Sequence, residues 1–167
     1  MRQSRGARSG YKHPRAGSGR GQTMGLYKEQ GAEQQGRMNS FLSKYAFFAF
    51  DNKQFDDGLK KLGIAPGTEG ALLAIPGGGY ILADKAQNFK DLLQSFKRER
   101  TDAIRNPDTG PEFAYEMFLT ELYNTEYRYT EDPEDAIESL GYTMQAIEAD
   151  PVLKPAFERA CKRIFPD

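Results

Sequence analysis

Reactive side chains are scarce in this chain. Of its 167 residues one is Cys, one is His and none is Trp. A single cysteine can form neither an internal disulfide nor a thiolate zinc site. The one histidine, His13, stands near the start of the chain. A Ser-His-Asp or Cys-His pair in the body is therefore excluded. Long apolar runs are missing too. The longest, residues 46–50, is far shorter than the ~18 residues a membrane-crossing helix needs. There is no G-x-x-x-x-G-K-[ST] pattern, hence no P-loop. Cys161 sits on an apolar helical stripe and reads as a small core residue.

Charge is present but unevenly placed. The net charge is −1 over the chain. Residues 1–40 carry eight basic and two acidic side chains, giving +6, whereas residues 41–167 carry fifteen and twenty-two, giving −7. The first forty also hold eight of the seventeen glycines and no Phe, Ile or Val. Such a segment offers little apolar surface to offset the entropy of ordering, so residues 1–40 are expected to be a disordered basic tail ahead of one domain at 41–167. Three readings of the tail stay open. Arg5, Arg8, Arg15 and Arg20, two of them in Arg-Gly pairs, suit a nucleic-acid-binding arm. A +6 arm would also be drawn to a −7 body or to a partner at low salt. Third, the tail is not part of the natural protein: Met24 and Met38 both offer starts, and Met38 is taken as the natural one because residues 33–37 can be encoded by purine-rich codons resembling a bacterial ribosome-binding site. No apolar segment follows the basic residues, so the tail is not a secretion signal.

The body alternates short apolar runs with helical patterns. Residues 45–50, Tyr-Ala-Phe-Phe-Ala-Phe, suit a buried strand. Asp51 is placed to cap a helix with Phe55, Leu59 and Leu62 on one face and Gly63 at its end. Residues 70–75 and 80–83 flank Pro76-Gly77-Gly78-Gly79, which predicts a β-hairpin rather than a phosphate loop. Asp84 is expected to cap a long helix striped by Phe89, Leu92, Phe96 and Ile104. Pro111 suits the first turn of the next, and Asp132-Pro133 and Asp150-Pro151 start two more. The pattern predicts an α+β fold, a small antiparallel sheet (β-α-β-β) packed with four to five C-terminal helices.

Two kinds of site are candidates. Tyr123, Asn124, Tyr127, Arg128 and Tyr129 fall within seven positions. Tyr and Arg concentrate binding energy, because they bury much area for little lost entropy and keep a polar end. The alternative is that the tyrosines line the edge of the core. Glu112 with Glu116, and Glu134 with Glu138, are i, i+4 pairs that could hold a divalent ion or work as acid and base. No imidazole accompanies them, and acidic outward faces are ordinary on soluble helices. The basic cluster Lys97, Arg98, Arg100 and Arg105 is interrupted by Glu99 and Asp102, as on a solvated helix.

Tyr45-Ala46-Phe47-Phe48-Ala49-Phe50, Gly77-Gly78-Gly79-Tyr80, the run Glu121-Leu122-Tyr123-Asn124-Thr125-Glu126-Tyr127 and Leu140-Gly141-Tyr142-Thr143 together resemble an uncharacterised family of small proteins from phages and other mobile elements of gut-type bacteria. The resemblance spans about residues 44–164. It implies a bacterial, cytoplasmic setting and no known reaction. The expectation is a non-enzymatic accessory protein, without cofactor or metal, that binds an unidentified protein partner and does not enter a membrane. The alternatives are nucleic-acid binding through the tail and a carboxylate-based, metal-dependent enzyme.

Overall fold

A computed structural model describes residues 25–166. Its order is α1 (Leu26–Tyr45), β1 (Ala46–Phe48), α2 (Asn52–Leu62), β2 (Leu72–Ile75), β3 (Gly79–Leu82), α3 (Ala86–Arg105), α4 (Gly110–Asn124), α5 (Tyr127–Thr130), α6 (Glu134–Ser139), α7 (Met144–Glu148) and α8 (Leu153–Ile164). The three strands form one antiparallel sheet in the order β1-β3-β2. The α+β class and the β-α-β-β order thus stand as expected. Among the described residues six α-helices follow the sheet instead of four or five, the addition being the single turn α5.

The sequence signals work where they are local. Asp51 accepts the Gln54 N–H at 2.7 Å and so caps α2, which ends in left-handed Gly63. Gly77 and Gly78 both have positive φ in the hairpin turn, a conformation that costs glycine little. Thr143 caps α7 through the Ala146 N–H. Two signals are displaced. Tyr45 is the last residue of α1 and only residues 46–48 are strand. Asp84 lies in a 3-10 turn, Ala83–Lys85, that precedes α3, and it caps nothing.

The core is built around α4. Phe113, Ala114, Met117, Phe118 and Leu122 are all at most 2 % exposed. They surround the helix more fully than one stripe would, as in a helix covered on several sides. Helices α1, α3, α6 and α8 pack around it. Its start is a close approach: a Cβ on Gly110 would lie 2.2 Å from the Ile104 carbonyl oxygen. The sheet has its own smaller core under α2, where Phe47, Phe55 and Tyr80 pack with centroids 4.9–5.6 Å apart.

Helix α1 overturns the expectation of disorder for residues 26–40; residues 1–24 lie outside the described residues. None of its residues is fully buried. It is held by a polar seam. Tyr27, Gln30, Gln34, Arg37 and Phe41 recur at alternating three- and four-residue steps, the spacing of a helix-pairing face. Gln30 donates to the Glu99 carbonyl at 3.3 Å, and Gln34 to the Glu99 carboxylate at 3.0 Å. Arg37 grips the same carboxylate with both Nη atoms, one at 2.8 Å, and lies over the Phe96 ring. Phe41 meets Phe89 at 5.8 Å. At its N-terminal end the Glu116 carboxylate accepts the Tyr27 N–H at 3.0 Å, an anion at the positive end of a helix dipole. Met38 lies in the middle of this helix.

Two predictions follow from these contacts. A Gly→Ala change inside a helix ordinarily gains ~1 kcal/mol. A Cβ on Gly58 would lie 2.1 Å from the Phe47 ring, so Gly58→Ala is expected to lower the urea midpoint instead. The second concerns acid. Bonding to Arg37 holds the Glu99 carboxyl below its ordinary range. Bonding to Arg105, with the backbone N–H groups of Val152 and Leu153 at the start of α8, does the same to Asp150. Carboxyls depressed by folding contribute stability that is whole above their unfolded values, near pH 4, and is lost as pH falls through the folded ones. Glu99→Gln and Asp150→Asn should each flatten the fall in thermal midpoint below pH 4.5.

Candidate functional site

Helix α4 ends where Thr125 closes it, its N–H and hydroxyl both bonded to the Glu121 carbonyl at 3.0 Å. The chain then passes through Glu126, turns once as α5, and leaves through Glu131. Both glutamates are left-handed, with φ of 57°. For a residue with a Cβ this costs on the order of 1–2 kcal/mol each. Strain at both ends of one turn is a feature that functional sites share.

That turn sorts the predicted residues. Tyr127 points inward, its ring edge-on to Phe165 at 5.4 Å and packed against the core beside Cys161. Burial first, then the neighbouring Cys161 side chain, pushes its phenol up to about 12. Arg128 and Tyr129 point outward. Tyr129 is 83 % exposed, and Arg128 makes no ion pair among the described residues. Tyr123 is 55 % exposed on the last turn of α4. Asn124 bonds Glu121 at 3.2 Å. Tyr123 and Asn124 line a shallow pocket with Leu119, Glu116, Gly25 and Lys28, so the start of α1 forms one wall. Four of the five residues are exposed, and Tyr127 packs beneath them against the core.

The carboxylates do not converge. Glu112 pairs with Arg159 of α8 at 2.6 Å, and Arg159 lies 3.7 Å over the Tyr115 ring. Glu116 is spent on α1. Glu134 and Glu138 are exposed on α6. Among the described residues no group of three acidic, His or Cys side chains could hold a metal ion. The basic cluster is divided as well. Arg100 donates to the Leu140 carbonyl at 3.0 Å and Arg105 pairs with Asp150, which leaves Lys97 and Arg98. Arg5, Arg8, Arg15 and Arg20 lie outside the described residues.

Tyr27 was not among the sequence candidates, yet it joins α1 to the site. Its hydroxyl donates to Glu121 at 3.0 Å and its ring packs edge-on to Phe113. Burial, then the Glu121 charge, raises its phenol to about 12. The signal was available in the three-four spacing of residues 27–41, read without requiring apolar side chains.

A phenol raised by folding contributes stability that is whole below its unfolded value near 10 and is lost as pH rises through about 12. Alkaline unfolding should therefore set in between pH 10 and 12. Tyr27→Phe and Tyr127→Phe should each move it upward, and each should remove one late-ionising phenolate from the 295 nm titration.

Comparison with curated proteins and with solved structures finds no match. A family model matches residues 26–163. The match takes in all of α1 and starts earlier than the resemblance near residue 44. The chain therefore belongs to DUF7659, a family of unknown function.

Proposed function

We propose that this protein works by binding another protein through the face formed by Tyr123, Asn124, Arg128 and Tyr129, and that the partner presents a basic surface. The observation that carries the reading is the strained turn. Left-handed Glu126 and Glu131 hold Arg128 and an 83 % exposed Tyr129 outward, while Tyr127 is fixed beneath. Large aromatic area left in water on a rigid support suits a binding anchor. Charge supplies the partner's sign. Residues 121–138 hold seven acidic side chains and one basic, Arg128. A surface of that sign steers cationic partners and repels nucleic acid. The role is that of a non-enzymatic accessory factor. Its setting is a bacterial cytoplasm, in a phage or other mobile element, as the motif resemblance implies. A protein that opposes a nucleic-acid-binding factor would use such a surface in place of phosphate.

The test uses the full chain as bait in a host lysate, beside a Tyr123→Ala, Arg128→Ala, Tyr129→Ala variant. The captured protein is then purified and titrated. The triple variant should weaken binding at least 30-fold, the equivalent of ~2 kcal/mol. Wild-type affinity should fall as salt rises from 50 to 300 mM. Equal capture by both baits, or affinity indifferent to salt, would refute the reading.

A further inference from the structure

The sheet lies at the far end of α1 from the tyrosine face, about 30 Å away for a twenty-residue helix. It is unlike the rest of the molecule. No residue from 70 to 83 is charged, in a chain that is 28 % charged. Strand β2 is an edge, pairs only with β3, and leaves Leu73 48 % exposed. Proteins usually blunt such an edge by shortness, a lysine, a proline or a bulge. Strand β2 is short, but its four residues Leu72–Ile75 hold no lysine or proline and pair with β3 without a bulge.

The register shows which backbone groups are free. The Ala83 N–H bonds the Ala71 carbonyl at 2.9 Å. In an antiparallel ladder bonded pairs alternate. Leu73 and Ile75 therefore bond β3, while the N–H and C=O of Leu72 and Ala74 face outward. These two residues stand symmetrically about Leu73. A two-fold axis at Leu73 would set Leu72 of one chain opposite Ala74 of the other, and the reverse, closing four hydrogen bonds. The two Leu73 side chains would meet on one face, in a non-bonded pair with Cα atoms ~4.5 Å apart.

We propose that β2 pairs antiparallel with β2 of a second copy, joining the two sheets into one of six strands. Charge favours this occupant. A two-fold contact sets a patch against itself, so a charged patch repels its own image. The body carries −7 from residue 41 onward, so most other patches set like charges against their own image. The uncharged hairpin is where two copies meet without that cost. The strand pair buries well under the ~1,000 Å² of a lasting interface, so the dimer is weak and reversible. This inference is independent of the binding face at Tyr129.

Sedimentation velocity on the full chain, from 10 µM to 1 mM, tests it. The expected result is a monomer that shifts reversibly to dimer across that range. Ala74→Pro removes one outward N–H and no bond to β3, so the fold is kept while association weakens at least 10-fold. Leu73→Lys sets two ammonium groups face to face and should do the same. It also stands as the second variant if Ala74→Pro alters the far-UV circular dichroism. A monomer at every concentration would overturn the proposal, leaving the edge to a strand of some other protein. So would self-association unchanged in a folded variant.

Discussion

The Glu99 carboxylate is the point on which the arrangement of this molecule depends. It receives Arg37 through both Nη atoms and Gln34 besides, while its own carbonyl takes Gln30. One residue of α3 thereby holds three successive contacts of α1. Helix α1 has no fully buried residue with which to hold itself in place. Directional bonds replace the missing apolar stripe, and they fix the rotation and sliding of α1 along α3, as polar residues set register in helix pairs. The position of α1 then sets both ends of the molecule. Its last residue runs directly into β1, and its first turn forms a wall of the pocket at Tyr123 and Asn124.

The sequence was legible where structure is local. The Asp51 cap, the glycine turn of the hairpin and the proline start of α4 are each decided within a few residues, and each was readable. Helix α1 was not, for a physical reason. Its glycines and lack of Phe, Ile and Val up to residue 40 describe a chain unable to form an apolar core, and α1 indeed forms none. Its directional partners are Glu99 and Glu116, both more than sixty residues away, and composition cannot report partners at that distance. The boundary drawn at residue 40 marked a real change in composition but fell inside a helix.

The site shows the same division. That Tyr123 to Tyr129 held an unusual concentration of Tyr and Arg was plain from the sequence. Which side chains face water was not, because direction is decided at Glu126 and Glu131. Glutamate has no preference for positive φ, so nothing in its identity announces the turn. The i, i+4 glutamates were also read as shared faces of one helix. Glu112 and Glu116 do lie on neighbouring turns of α4, yet one reaches α8 and the other α1. Both neighbours pack on α4, so adjacent acids serve different interfaces rather than one centre.

The strain at α5 persists because what surrounds it is rigid. A left-handed glutamate would relax if its flanks were free to move. Here the N-terminal flank is α4, anchored by Met117, Phe118 and Leu122, all fully buried. Within the turn, Tyr127 is seated on Phe165, just past the end of α8. Part-burial of the Tyr127 ring against the core offsets some of the cost of the two strained residues. Tyr127 therefore supports the site from below and offsets the conformation that turns Arg128 and Tyr129 outward. A tyrosine surface on a loosely held loop would lose entropy on meeting a partner. Here the backbone of the turn is already fixed by folding, carried by the core of α4 and α8.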